Sequence, residues 1–146
     1  MKNKVAEIEV SYKPVKSRKP IISSSLDAYR ELKAFYPEET IELQEQFVVM
    51  YLNRANRVIG IYPSSKGGIT GTCVDIRLIL SVALKIAAVG YIISHNHPSG
   101  NLKPSQADLL LTCKIKESCK LLEIELLDHI ILSADGYYSF ADEGKL

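Results

Sequence analysis

An apolar run, residues 91–93, leads directly into a polar stretch that begins with His95 and His97, and this feature constrains the fold most. A short apolar run bounded by turn residues is typical of a buried strand. Residues 75–90 before it and residues 106–120 after it both show the apolar spacing of a helix. A buried strand between two helices predicts a layered α/β fold.

The remaining segments predict further strands and one more helix. In chain order they are a strand from Val5 to Val10, a helix between Ser24 and Pro37 that packs on a sheet face, a hairpin of residues 45–53 and 57–62, and a strand of residues 124–132 that turns into residues 137–140. The helix of residues 75–90 should start at Asp75 and be largely buried. Strands interleaved with helices in this order predict a mixed β-sheet flanked by helices.

Composition limits the class of protein. A length of 146 residues with 47% apolar content suits one domain, and a net charge of +1 favours neither a nucleic-acid binder nor an acidic tail protein. Three cysteines without a Cys-x-x-Cys pair fit a reducing cytoplasm, and we interpret them as small core residues. The longest apolar segment, residues 78–93, is interrupted by Lys85 and Gly90, so we expect no membrane association.

Two loops have compositions that can suit anions. Residues 13–19 contain four cations, Lys13, Lys16, Arg18 and Lys19. They could contact phosphate, but no aromatic residue interleaves them to stack on bases, which favours a solvated linker. Residues 63–72 are rich in glycine but lack the spacing of a phosphate-binding loop, so we interpret them as a flexible loop and a candidate lid beside the site.

His95 and His97 predict a metal site. They are two residues apart, so in an extended chain their side chains leave the same face and can reach one ion. Asp108 follows eleven residues after the second histidine. Two imidazoles and a carboxylate are the three protein ligands that a catalytic zinc site commonly uses, with water in the fourth position.

Ser105 and Asp108 allow a second interpretation. Ser-Gln-Ala-Asp ahead of an apolar run is a capping box, which would start the predicted helix with no metal present. The spacing does not separate a helix cap from a metal ligand. The two roles are also compatible, because the serine can cap the helix while the aspartate turns toward the ion.

The polar stretch resembles a known motif. His95-x-His97, seven residues, then Ser105-x-x-Asp108 is similar to the JAMM motif of MPN-type zinc metallopeptidases. A longer pattern resembles the RadC-like branch of that superfamily: HNHPSG, then PS, D and LLLT, and later an Asp-His-Ile-Ile run. Glu45 matches the E-x-F setting of that branch. The resemblance extends from about residue 42 to residue 144. It suggests a RadC-like domain of residues 41–146, preceded by an N-terminal strand, basic loop and helix in residues 1–40.

The resemblance implies a fold like that of the cytidine deaminases and a zinc ion on His95, His97 and Asp108. It implies that Glu45 acts as general acid and base on a water molecule, and that Ser105 donates to the developing oxyanion. The activity it implies is hydrolysis of a peptide or isopeptide bond. The peptide or protein substrate stays open, and a homodimer through an exposed hairpin edge is compatible with the sequence.

Other functions are either left open or disfavoured by the sequence. RadC-like proteins are traditionally connected with DNA repair, so a catalytically silent accessory module of DNA metabolism is the alternative, although the N-terminal forty residues do not resemble the helix-hairpin-helix segment of longer RadC proteins. The adjacent letters His-Asn-His do not match the dispersed residues of HNH nucleases, and a zinc deaminase would need a cysteine pair. His129 is either held by polar neighbours in a strand or supports the metal ligands or substrate.

Overall fold

The computed structural model describes residues 5–9, 11–16, 19–67 and 73–146. Within them the chain forms three helices and one five-stranded sheet. The elements are α1 (Ser25–Phe35), β1 (Gln46–Leu52), β2 (Val58–Lys66), α2 (Ile76–Lys85), β3 (Gly90–Asn96), α3 (Gln106–Lys120), β4 (Glu125–Leu132) and β5 (Tyr137–Ser139). The strand order is β2-β1-β3-β4-β5, antiparallel except for the parallel pair β3 and β4. The predicted mixed sheet flanked by helices is confirmed.

Each face of the sheet has its own hydrophobic core. Apolar residues of α1 pack against one face together with alternate residues of the strands: Ala28, Leu32, Val48, Met50, Leu52, Ile92, Ile130 and Leu132. Residues of α2 and α3 pack on the other face: Phe47, Val49, Tyr51, Ile79, Ala83, Tyr91, Ile93, Ile115 and Cys119. This arrangement buries all seven residues of β1 and all seven of β3.

The alternation of side chains along β3 decides which residues meet at its carboxyl end. Ile93 belongs to the core under α2 and α3, so His95, two residues on, leaves the same face. Ile92 belongs to the core under α1, and Asn96 therefore leaves toward that side. β3 thus sends an imidazole to one face of the sheet and a carboxamide to the other.

The predicted N-terminal strand is wrong for the described part of that segment. Residues 5–9 form no strand, and Val10 lies outside the described residues. Val5 and Ile8 are 83% and 86% exposed, because residues 5–9 pair with no strand in the part of the chain that the structure describes. Instead, the Tyr12 hydroxyl donates to the carbonyl oxygen of Ile59 in β2 at 2.9 Å.

The second helix also differs from the prediction. Asp75 caps it as expected, but α2 ends at Lys85, where the chain turns through Ala87 with a φ of 52° so that Gly90 can pair with β1. The sequence predicts a largely buried helix, but Leu84 is 57% exposed and only Ile79 and Ala83 of the helix are buried. It is a half-exposed covering helix because only one of its faces contacts the sheet.

The loop and cysteine predictions have mixed outcomes. β2 continues to Lys66, so residues 63–66 of the predicted loop are strand, and residues 68–72 of the candidate lid lie outside the described residues. Cys119 is buried as expected, but Cys73 and Cys113 are exposed, because Cys113 lies on the solvent side of α3. No helix in the described ranges is long and apolar enough to cross a bilayer.

Candidate metal centre

All three histidines of the chain meet at one end of the sheet. His95 is the penultimate residue of β3, His97 follows that strand, and His129 lies on the neighbouring strand β4. The Nε2 atoms of His95 and His97 are 2.9 Å apart, and the Nδ1 atom of His95 is 2.8 Å from Nε2 of His129. The pattern H-x-H on a strand end therefore brings both imidazoles to one point.

Asp108 reaches the same point from the first turn of α3. Its Oδ1 lies 3.3 Å from Nε2 of His95, and its Oδ2 lies 3.4 Å from Nε2 of His97. The capping box is also formed, because Oδ2 accepts from the backbone N–H of Ser105 at 2.8 Å and the Ser105 hydroxyl accepts from Asp108 N–H at 3.1 Å. The helix cap and the approach to the histidines thus coexist in one side chain.

Glu45 precedes β1 and completes the cluster. Its Oε1 lies 3.9 Å from Nε2 of His95, and ligand atoms of Glu45, His95 and His97 all fall within 4.8 Å of one another. The side chains of Glu45 and His97 are 18% exposed, whereas His95 is 2% exposed. The cluster is therefore closed on its inner side and open on the side of Glu45 and His97.

The carboxylate of Asp108 pairs electrostatically with the histidines. Burial by itself would raise the pKa of Asp108, but contact with His95 and His97 when these imidazoles carry a proton on Nε2 outweighs it and holds that pKa well below its usual range. Asp108 in turn raises the pKa of His97. Protons and a metal ion therefore compete for the same nitrogen, which makes metal affinity depend on pH.

The hydrogen bond behind His97 fixes its tautomer. Its Nδ1 lies 2.6 Å from the carbonyl oxygen of Asn101, and a carbonyl oxygen only accepts. Nδ1 of His97 therefore carries the hydrogen in the neutral ring, which leaves the Nε2 lone pair directed at His95 and Asp108. A carbonyl behind the distal nitrogen is the usual orientation device for a metal-binding imidazole.

The donor set fits a zinc ion. Two atoms bound to one zinc at about 2.0–2.2 Å can lie no more than about 4.4 Å apart. The separations of 2.9 Å between His95 and His97, 3.3 and 3.4 Å from these histidines to Asp108, and 3.9 Å from His95 to Glu45 all meet this limit. Neutral imidazole and carboxylate are also the ligand types that zinc accepts.

Comparison with known proteins identifies the family of this chain. The family model of the RadC-like JAB domain matches residues 22–145. The chain belongs to the RadC-like JAB domain family. The matched range of this RadC-like JAB domain includes α1 as well as the whole sheet, and the resemblance to RadC-like proteins stated from the sequence is confirmed.

Relatives of this RadC-like JAB domain carry the name UPF0758 protein. The chain is 46% identical over 123 residues to one from Flavobacterium johnsoniae, a match that covers 84% of this chain and 52% of that protein. It is 39% identical over 130 residues to one from Porphyromonas gingivalis, covering 88% and 56%. A relative from Aquifex aeolicus is 37% identical over 142 residues, covering 97% and 59%. The chain spans little more than half the length of these curated relatives.

One residue of the RadC-like JAB site was missed from the sequence. Asn96, between the two histidines, is fully buried on the α1 side of the sheet. Its Nδ2 donates to the carbonyls of Ile41 and Gln44 at 2.8 and 2.9 Å, and its Oδ1 accepts from Gln46 N–H at 2.7 Å. Asn96 thereby fixes the backbone on both sides of Glu45. An asparagine inside a β-rich run, where that residue is disfavoured, was the available signal.

His129 is also closer to the RadC-like JAB site than the sequence indicated. It is fully buried, which excludes contact with a substrate in this conformation. The ring of Phe140 stacks on it with centroids 4.4 Å apart, and its two nitrogens contact His95 and the Thr112 hydroxyl. It is held by polar neighbours as expected, and one of those neighbours is a proposed metal ligand.

Proposed function

We propose that this chain is a zinc-dependent metallohydrolase that cleaves a peptide or isopeptide bond, with zinc held by His95, His97 and Asp108. The observation that carries the proposal is the convergence of two imidazole nitrogens and a carboxylate within 3.4 Å of one another, with a second carboxylate 3.9 Å from His95. Family membership supports the same chemistry. The free state of Cys73, Cys113 and Cys119 agrees with a reducing, cytoplasmic setting.

When bound, zinc would lower the pKa of a coordinated water toward neutrality and polarise the scissile carbonyl. Glu45 supplies the base. Its carboxylate is partly exposed, faces the histidines and can accept a proton from the attacking water. Protonated Glu45 can then return that proton to the leaving amine, which would otherwise depart as an unstable anion.

Ser105 is the proposed oxyanion donor. It is exposed at the N-terminus of α3, and its oxygen already accepts from Asp108 N–H. A hydroxyl can accept and donate at the same time, so capping the helix leaves its hydrogen for the developing oxyanion. The positive end of the α3 dipole favours the same negative charge.

The first test is a metal analysis of the purified full chain. We expect about one zinc per chain, retained through gel filtration, and loss of that zinc in His95→Ala and Asp108→Ala. Asp75→Ala is a matched control, because Asp75 also occupies a helix N-terminus but lies at α2. A wild-type chain that takes up no stoichiometric transition metal would exclude the proposal at its first step.

The second test is cleavage. A library of peptides and lysine-linked isopeptides should contain substrates that wild-type protein cleaves, that a chelator protects and that added zinc restores. Glu45→Gln should bind zinc but cleave these substrates about 10²–10⁴-fold more slowly. Cleavage that survives complete zinc removal would show that another site performs the hydrolysis.

A further inference from the structure

A buried chain of hydrogen bonds runs behind His95, away from the open side of the site. The Thr112 hydroxyl contacts the carbonyl oxygen of Asp108 at 2.6 Å and Nδ1 of His129 at 2.6 Å. Nε2 of His129 then lies 2.8 Å from Nδ1 of His95. The chain thus begins at the backbone of one proposed ligand and ends on the imidazole of another.

The carbonyl oxygen of Asp108 determines which atom donates in each of these hydrogen bonds. A carbonyl oxygen only accepts, so the single hydroxyl hydrogen of Thr112 goes to Asp108. Thr112 can then only accept from Nδ1 of His129, which must carry a hydrogen. In a neutral His129 the Nε2 is therefore an acceptor, and Nδ1 of His95 must donate to it.

The surroundings of His129 keep the ring neutral and fixed. It is fully buried, with Phe140 stacked at 4.4 Å and Phe47 placed edge-on at 6.1 Å between centroids. Burying a charged imidazolium between these two aromatic rings would carry a large desolvation cost. A doubly protonated His129, which would reverse the last hydrogen bond, is disfavoured.

We propose that Thr112 and His129 are positioning residues that hold His95 in the tautomer whose Nε2 carries no hydrogen and faces the metal. This role rests on the proposed metal site, because a free Nε2 matters only if a metal binds there. Behind His97, the carbonyl oxygen of Asn101 fixes the tautomer directly. Behind His95, two side chains, Thr112 and His129, have the same effect. The hydroxyl of Thr112 selects the tautomer, and the ring of His129 transmits that selection.

The direct test is nitrogen-15 NMR of the imidazoles in the metal-free full chain, at about pH 8, above the usual imidazole pKa of about 6.5. We expect His95 protonated at Nδ1 and bare at Nε2. Thr112→Ser keeps the hydroxyl and should keep this tautomer. Thr112→Val keeps the shape but removes the hydroxyl, so His129 can donate from Nε2 and His95 should shift toward the Nε2–H form.

Zinc affinity provides the second measurement. Loss of an outer hydrogen-bond partner typically weakens metal binding by about 10–100-fold, and we expect such a loss in Thr112→Val and in His129→Leu. His129→Gln offers a carboxamide oxygen to Nδ1 of His95, so this variant should keep most of the wild-type zinc affinity. Thr112→Ser should do the same.

Three results would overturn the role of Thr112 and His129. They are a wild-type His95 protonated at Nε2, a Thr112→Val chain with the wild-type tautomer, and a folded Thr112→Val chain with wild-type zinc affinity. The first needs no variant, so a variant that fails to fold does not block the test. If the protein has the predicted tautomers but binds no zinc, the proposed function is refuted and the hydrogen-bond assignment still holds.

Discussion

Glu45 and Asp108 bring two carboxylates to the same imidazole but are held in different ways. Asp108 is fixed by the N-terminus of α3, where it accepts from Ser105 N–H and lies against both histidines. Glu45 lies farther away, at 3.9 Å from Nε2 of His95, on a segment that precedes β1. The closer, more constrained carboxylate suits a ligand, and the more distant one suits a base.

This difference gives a prediction at the residue level. Glu45→Gln should retain wild-type zinc affinity while cleavage falls by about 10²–10⁴-fold, because the base is lost and the ligands remain. Asp108→Asn should lose zinc affinity itself. Isothermal titration with zinc, paired with a cleavage assay, separates the two outcomes.

Asp75→Asn serves as the control for both variants, since it changes a carboxylate at a helix N-terminus outside the site. If Glu45→Gln lost zinc as completely as Asp108→Asn, Glu45 would be a ligand together with Asp108, and its assignment as the base would be wrong.

At the scale of residues, the sequence predicts some members of this site but not others. The H-x-H spacing on a strand end predicts that His95 and His97 leave one face, and the structure has that geometry. Glu45 could be found only through the family pattern, since fifty residues separate it from His95. The contact between His95 and His129 depends on the parallel pairing of β3 and β4, which no local pattern encodes.

At the scale of elements, the turn segment of residues 41–46 depends on β3 for its conformation. The carboxamide of Asn96 binds two carbonyls and one N–H of that segment, and Gly67 N–H donates to the Glu45 carbonyl at 2.8 Å. Because the strand with the histidines also anchors the segment with the base, a change at residue 96 should alter the position of Glu45 while the proposed ligands stay in place.

Asn96→Asp tests this connection. A carboxylate would replace the donor that faces the Ile41 and Gln44 carbonyls, so we expect segment 41–46 to detach at a cost of about 1–3 kcal/mol in the free energy of unfolding. Cleavage should fall toward the level of Glu45→Gln, with zinc affinity within a few-fold of wild type.

Urea unfolding and hydrogen exchange at the Gln46 amide report the detachment. Asn53→Asp is the matched control, because within the described residues the Asn53 side chain bonds through its acceptor oxygen, toward Ala55 and Arg57. If a folded Asn96→Asp protein cleaved substrate at the wild-type rate, the proposal that Asn96 holds Glu45 in position would be wrong.

The start of α3 provides a second prediction for an element. Ser105→Ala removes the cap and should lower the free energy of unfolding by about 1 kcal/mol. Ser24→Ala removes the equivalent cap of α1, away from the histidines, and should cost a similar amount. Urea unfolding compares the two, and only Ser105→Ala should also slow cleavage. Equal cleavage by both variants would limit Ser105 to capping.

Elements that pair within the sheet followed their sequence patterns more closely than elements at its margin. β1, β3 and α3 have the predicted places because each is packed against several neighbours. The apparent strand of residues 5–10 has the same alternation as a true strand, but residues 5–9 do not pair with the sheet. Helix α2 is shorter than its apolar stripe because strand pairing begins at Gly90. The spacing of apolar residues predicts which face of an element is apolar, but not whether another element packs against that face.

For the molecule as a whole, the buried His129 links stability to pH. Its pKa is lowered well below the usual value of about 6.5, so the unfolded chain takes up a proton that the folded chain refuses. The stability associated with this ring is therefore full above about pH 6.5 and is lost as the pH falls below it. The contribution of Asp108, whose pKa is also lowered, is lost only below about pH 4.

We expect the unfolding free energy of metal-free protein to decline between about pH 7 and pH 5, with His129 contributing up to about 1.4 kcal/mol per pH unit. His97, whose pKa is raised, acts in the opposite direction, gaining stability toward low pH in all variants. His129→Gln should therefore show a flatter, or rising, stability as the pH falls. Urea unfolding in chelator at several pH values measures the difference, and parallel curves for both chains would contradict the assignment.

The alternation of β3 also limits how the length of this chain can change during evolution. β3 pairs residue by residue with β1, from Leu52 with Gly90 to Phe47 with His95. Insertion or deletion of one residue within this strand would exchange its two faces and place a histidine where Asn96 now lies in the α1-side layer. Length variation among related chains should therefore fall in connections such as residues 53–57, while β3 keeps its number of residues.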